Sequence, residues 1–197
     1  MSTINEIKLI VLGNTSVGKS SFILKYIEDK FVLNYIATLG MDFKQKKLKL
    51  KNGQEVRLRI YDTAGQERFK SVAVSFIKKA EGAILIYDIG NKATFESLEE
   101  WIKNIKESGK ENLPIILVGN KCDLPPEKRQ VELIEGKDKA EEFNLPFFET
   151  SCKEGINIKE VFEKLIDDII EKGNKNLMGE FKILNKGKKG KKKEKCC

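Results

Sequence analysis

An α/β fold built on a mostly parallel sheet is predicted by three observations. Short apolar runs alternate along the chain with segments of helical period. Most of those runs are apolar throughout, as strands covered on both faces are. One neighbouring pair instead alternates polar and apolar residues and is joined by a tight-turn dipeptide. Together these specify right-handed crossover units in a six-stranded, mostly parallel sheet with one antiparallel edge strand and helices on both faces.

The elements follow in order. Ile7-Lys8-Leu9-Ile10-Val11-Leu12 reads as a buried strand, and Lys19 to Glu28 as a helix with Phe22, Ile23 and Tyr26 inward. Phe43 to Leu50 and Val56-Arg57-Leu58-Arg59-Ile60-Tyr61 follow period two, the second strictly, as strands with one buried face do. Asn52-Gly53 between them favours a type I′ hairpin, whose central residues both need positive φ, so these strands are antiparallel neighbours. Ala83 to Tyr87 precedes a helix from about Thr94 to Ser108, and Ile115 to Val118 precedes one near Ile134 to Phe143. Pro146-Phe147-Phe148 precedes a last helix near Ile158 to Ile170. Trp101 and the Leu, Ile and Phe positions of the helices read as packing.

Composition narrows the chemistry. The 197 residues are 40% hydrophobic and include no histidine, which removes Ser-His-Asp, Cys-His and His-ligated metal sites. Cys122, Cys152, Cys196 and Cys197 are too few and too badly placed for a disulfide framework, so a reducing compartment is expected. The opening MSTINEIK has neither a signal-peptide pattern nor the glycine of a myristoylation site. No apolar run approaches the roughly 18 residues of a spanning helix. The net charge of +7 sits in residues 173–197, where nine lysines face Glu180 and Glu194. Residues 1–172 are therefore neutral and are expected to form one domain, with 173–197 a flexible polybasic tail ending in a double cysteine. A neutral domain with a basic tail argues for a surface tether and against nucleic acid.

Gly13-Asn14-Thr15-Ser16-Val17-Gly18-Lys19-Ser20 matches the phosphate-loop pattern G-x-x-x-x-G-K-[ST], starting where a strand ends and finishing where a helix begins. The glycines let successive N–H groups turn toward phosphate oxygens, helped by the positive end of the helix. Lys19 supplies charge to the terminal phosphates and Ser20 a hydroxyl ligand to Mg²⁺. Asp62-Thr63-Ala64-Gly65-Gln66 begins at the end of the strictly alternating strand. Asp62 there can hold Mg²⁺ through water, the Gly65 N–H can approach a terminal phosphate, and Gln66 can orient an attacking water. Asn120-Lys121-Cys122-Asp123 and Ser151-Cys152-Lys153 end two further strands. A carboxylate at Asp123 can accept from N1–H and the 2-amino group of guanine. Adenine lacks both donors, so it would leave that carboxylate unpaired.

With these motifs the chain resembles the Ras superfamily of small GTPases, and within it the Rab family. The resemblance runs from Ile7 to Cys197 through GNTSVGKS, TLGMDF (Thr38 to Phe43), YDTAGQERF (Tyr61 to Phe69), NKCD, TSCK and the terminal CC. It implies a P-loop NTPase (small G-protein) fold with GTP/GDP and Mg²⁺ as cofactors. Asn14 to Ser21 (Asn14, Thr15, Ser16, Val17, Gly18, Lys19, Ser20 and Ser21) would cradle the phosphates. Phe31 would pack against the guanine and Tyr35 close over the phosphates. Thr38 would give Mg²⁺ a second hydroxyl and order switch I, and Gly65 and Gln66 would do the same for switch II and catalysis. Asn120, Lys121, Asp123, Ser151, Cys152 and Lys153 would hold the base. Phe43, Tyr61 and Phe76 would form the apolar triad read by effectors, with Ile77 and Lys79 nearby on the partner surface.

The resemblance further implies a switch that cycles between GDP and GTP states on membranes and recruits effectors in vesicle trafficking. Intrinsic hydrolysis is expected to be slow, because switch I holds no arginine to act in cis. The alternative reading is a catalytically silent GTP-bound scaffold. Implied partners are an exchange factor, a GTPase-activating protein, effectors at the switch regions, an escort protein with geranylgeranyl transferase, and a GDP dissociation inhibitor. Cys196 and Cys197 would carry two isoprenoid chains, placing the protein on the cytoplasmic face of an intracellular or plasma membrane, with a cytosolic pool. Gln66→Leu is expected to slow hydrolysis and leave GTP binding intact, which single-turnover assays with and without an activator would check.

Overall fold

The structure, a computed structural model, describes residues 5–32, 41–51, 53–63, 70–110 and 112–172. Strand β1 (Asn5–Leu12) leads to α1 (Lys19–Glu28), then β2 (Met41–Lys49), β3 (Glu55–Thr63) and α2 (Lys70–Ile77). There follow β4 (Gly82–Asp88), α3 (Lys92–Glu96), α4 (Leu98–Glu107), β5 (Ile115–Asn120), a 3-10 turn (Pro126–Lys128), α5 (Leu133–Phe143), β6 (Phe147–Thr150) and α6 (Ile158–Glu171). Among the described residues the strands form one sheet in the order β2-β3-β1-β4-β5-β6, and β2 with β3 is its antiparallel pair. The expected architecture is therefore present.

Burial explains the sequence pattern. Ile7, Leu9 and Val11 of β1 face one core layer, where α1 and α6 bring Phe22, Phe162 and Leu165. Ile10 and Leu12 face the opposite layer with Leu85, Tyr87, Phe95 and Trp101. A strand covered on both faces needs apolar residues at every position. The first layer centres on an aromatic stack, with Tyr26 3.7 Å and Phe22 5.5 Å from the Phe162 ring. β2 lies at the sheet's edge and exposes Lys44, Lys47 and Lys49. Its hairpin to β3 closes through Leu50 N–H to Gln54 O and Gly53 N–H to Leu50 O, each 2.8 Å, with Gly53 at φ 83°. The loop therefore spans the three residues 51–53, with Lys51 outside the positive-φ region, and is not the two-residue type I′ turn expected. Asn52 lies outside the described residues.

Two further expectations need correction. The single helix expected over Thr94 to Ser108 is two segments, α3 and α4, that meet at Ser97. There the Ser97 hydroxyl bonds back to Ala93 O at 2.8 Å, an interaction that competes with regular helix geometry. Ile77 is not on a partner surface: it is fully buried in the second core layer, and Lys79 alone of that pair is exposed. The sequence reading also placed no helix at α2, whose Val74 and Phe76 belong to residue types favoured in strands.

The carboxyl ends of β1, β3, β4, β5 and β6 share one rim. The chain leaves β1 toward β3 on one side and later returns to β4 on the other, so the rim above β1 is the topological switch point where open α/β sheets bind ligands.

Tyr87 is fully buried, and among the described residues its hydroxyl has no hydrogen-bond partner. A Cβ at Gly136 or Gly119 would lie 2.5 or 2.8 Å from that oxygen, so both glycines make room for the ring. Tyr87→Phe removes an unsatisfied group and is expected to raise unfolding free energy by about 1 kcal/mol. Phe162→Ala is expected to lower it by about 3–5 kcal/mol. Urea titrations at one fixed nucleotide concentration would measure both.

Candidate functional site

The phosphate-loop sequence occupies the switch point. Its curl depends on positive φ at Gly13 (137°), Ser16 (63°) and Gly18 (99°). A Cβ at Gly13 would stand 2.1 Å from the Ile86 carbonyl oxygen, and one at Gly18 2.5 Å from Asn120 Nδ2. The loop is therefore pressed against β4 on one side and the end of β5 on the other. Gly18 is also the N-cap of α1 and offers no side-chain cap, so the first-turn amides of that helix keep their capacity for an anion.

Lys19 is 6% exposed, and its ammonium donates to Gly13 O (3.0 Å) and Asn14 O (2.7 Å). Burial pulls its pKa down to about 8, with the Asp62 carboxylate opposing the shift. A phosphate seated at the loop would offset the energetic penalty of that buried charge. Asp62 is itself buried at the end of β3, in register with Val11. The next residue fixes it: Thr63 Oγ1 donates to Val11 O at 2.7 Å, tying the ends of β3 and β1 together. Ser20 and Ser21 lie half-buried on the first turns of α1, while Thr15 and Ser16 are exposed.

The two expected base loops are clasped to each other and to the phosphate loop. Asn120, 1% exposed, donates through Nδ2 to Val17 O (2.8 Å). Its Oδ1 accepts from Thr150 Oγ1 (3.1 Å) and from the Cys152 thiol (3.4 Å). Its side chain thus braces three loops, with one amide hydrogen left for a ligand. Asp123 Oδ1 accepts from Ser151 Oγ at 2.6 Å, and Ser151 Oγ accepts from Glu154 N–H at 3.0 Å. Lys121 adopts a left-handed backbone (φ 71°) and pairs with Asp88 Oδ2 at 2.6 Å. Cys152 is buried, which pushes its thiol up to about 12. Lys153 pairs with Glu154 on the surface, and Phe31, just beyond α1, is 38% exposed.

Sequence reasoning missed Thr63, Asp88, Thr150 and the link from Trp101 to Asn14, described below. Asp88 and Thr150 end strands on the binding rim, and that position was the available signal. Tyr35, Thr38, Gly65 and Gln66 lie outside the described residues, as do Cys196 and Cys197. Of the expected aromatic triad, Phe43 stands directly opposite Tyr61 across the β2–β3 ladder, and Tyr61 packs on Phe76 at 5.0 Å. Phe43 is 50% exposed beneath the Arg59 guanidinium, whereas Tyr61 is buried, so the face presented outward is Phe43 with part of Phe76.

Comparison with known proteins decides the family. The Ras family profile matches residues 8–171. Ras-related protein Rab-3 of Caenorhabditis elegans is 43% identical over 182 residues, covering 92% of this chain and 82% of the relative. Human Ras-related protein Rab-3D is 43% identical over 170 residues, 86% of this chain and 77% of the relative. Human Rab-3A is 41% identical over the same length.

The chain is a Rab-family small GTPase.

As a Rab it binds GTP and GDP with Mg²⁺, hydrolyses GTP and acts in vesicle trafficking, so the silent-scaffold alternative is not favoured. The residues present fit that ligand: a loop curled by glycines no Cβ could replace, an uncapped helix start, a buried ammonium and a buried aspartate at one rim. Rab proteins work with exchange factors, GTPase-activating proteins, effectors and GDP dissociation inhibitors, and associate with membranes through a lipid anchor. Among the described residues no helix is long and apolar enough to cross a membrane.

Asn120→Ala would leave the Val17 carbonyl and the Thr150 hydroxyl buried without their partner. It is expected to lower the stability of the nucleotide-free Rab by about 2–4 kcal/mol. Thermal unfolding after nucleotide removal with a chelator would check this.

Proposed function

We propose that this Rab holds guanine nucleotide with Asn14 to Ser21 on the phosphates and Asn120, Lys121, Asp123, Ser151, Cys152 and Lys153 around the base. The observation that carries the proposal is the Asn120 clasp, which fixes the phosphate loop and both base loops as one hydrogen-bonded unit. Asp123 gives one oxygen to Ser151, and a carboxylate keeps further lone pairs for the N1–H and 2-amino donors of guanine. Phe31 and Tyr35 flank the nucleotide in this reading. Ser20, Thr38 and, through water, Asp62 hold Mg²⁺. The bound ion supplies positive charge against the negative charge that develops on the transferred phosphoryl group. Lys19 adds its own ammonium to that stabilisation, and Gln66 orients the attacking water. Contacts from Thr38 and Gly65 to the γ-phosphate would order the two switch segments, and hydrolysis would release them.

Residues 1–172 act as the GTPase domain in this proposal, and 173–197 as its tether. Cys196 and Cys197 receive geranylgeranyl groups from the transferase with its escort protein. Two chains anchor stably where one is marginal. Each tail lysine near anionic lipid adds about 1 kcal/mol. The proposed location is the cytoplasmic face of an intracellular or plasma membrane, with a cytosolic pool. Phe43 and Phe76, over Tyr61, would meet effectors.

Denaturing the purified chain and identifying the released nucleotide tests the site. Guanine nucleotide at about one per chain is expected, and Asp123→Asn should shift preference toward xanthine nucleotide, which offers a carbonyl where guanine has its 2-amino group. Adenine nucleotide would show Asp123 to be misassigned.

A further inference from the structure

Trp101, the chain's single tryptophan, is 6% exposed on α4, and its indole Nε1–H donates to Asn14 Oδ1 at 2.7 Å, a contact 87 residues apart in sequence. The other end of the same amide donates from Nδ2 to Ser97 Oγ at 3.0 Å. Ser97 gives its own hydroxyl proton to Ala93 O, so it meets Asn14 as an acceptor. An indole N–H can only donate. Both ends of the Asn14 amide are therefore fixed in direction. Ser97 and Trp101 stand four residues apart, on one helical face, at the junction that divides α3 from α4. Meanwhile the main-chain carbonyl of Asn14 accepts from the Lys19 ammonium at 2.7 Å.

A buried indole N–H needs an acceptor, and satisfying it is the ordinary reason for such a bond. Here the acceptor belongs to the residue whose backbone aims the phosphate-loop lysine. We propose that Trp101 is a positioning residue for Lys19, acting through Asn14: it pins the Asn14 side chain, and so sets the peptide oxygen against which the ammonium is held. The proposal rests on the reading that Asn14 to Ser21 hold the phosphates. It assigns Trp101 no contact with the nucleotide.

Trp101→Phe keeps a ring in the pocket and deletes the donor, while Asn14→Ala deletes the acceptor. In the full chain with GDP and Mg²⁺, each is expected to speed release of a fluorescent GDP analogue about three- to tenfold, the range of one neutral hydrogen bond. Each should also shift the ³¹P resonance of the β-phosphate of bound GDP, a signal that general loss of stability does not move. The double variant should go no further than either single one. Ile102→Val, a buried change on the same helix, should alter neither reading.

Unchanged release and ³¹P shift in Trp101→Phe would overturn the proposal, as would additive effects or an equal response in Ile102→Val. Should Trp101→Phe not fold, Asn14→Ala decides: faster release with a changed Trp101 emission spectrum supports the tie, and wild-type release overturns it. Lys19→Ala separates the two levels. If it retains nucleotide, the phosphate-loop reading falls and this proposal with it. If it loses nucleotide while Trp101→Phe behaves as wild type, the tie alone is wrong.

Discussion

An ammonium group that is almost wholly buried at the end of a parallel strand must be solvated by the protein, and most of the local architecture follows from meeting that demand at Lys19. Two carbonyls of its own loop do so, which forces the chain to fold back on itself over six residues. Only glycine tolerates that path at position 13, where β4 approaches within van der Waals contact, and glycine again opens α1 at position 18. The Asp62 carboxylate acts on the ammonium as well, yet burial outweighs it and still pulls the lysine's pKa down to about 8. The same fold that buries it therefore leaves a place where an anion is strongly favoured.

The base-side loops serve the same constraint from a distance. Val17 belongs to the phosphate loop, Asn120 to the end of β5, and Thr150 and Cys152 to the end of β6 and the turn after it, yet one side-chain amide joins them. Parallel pairing is what makes this cheap, because it lines up strand ends that lie 30 or 100 residues apart. Asp88 at the end of β4 and Thr63 at the end of β3 extend the pattern. β3, β4, β5 and β6 thus each contribute one polar side chain that bonds a neighbouring loop or strand end, and β1 takes part through the Val11 carbonyl.

How much of this was legible depended on range. The phosphate loop was legible because its requirements, glycines at fixed spacing followed by a lysine and a hydroxyl, act within eight residues. The strands were legible because burial on two faces leaves uninterrupted apolar runs, and the strict alternation of Val56 to Tyr61 marked the antiparallel ribbon. The division of α3 from α4 was not, because it turns on which way one serine hydroxyl points. Nor was the burial of Ile77 and Tyr61, since α2 covers that end of the sheet and no local pattern reveals which neighbour will do so. Asn120 was recognised by its motif, but its bracing role depends on Val17 and Thr150, which meet it only in the folded chain.

The lysines exposed along β2 matter beyond the single molecule. An edge strand offers a row of unpaired N–H and C=O groups to any extended segment, above all to the same strand of a second copy. Crowding many copies onto one small surface would multiply such encounters. Because Lys44, Lys47 and Lys49 project from that strand, two copies brought edge to edge would set like charges side by side, which opposes extension of the sheet beyond β2 into a second chain.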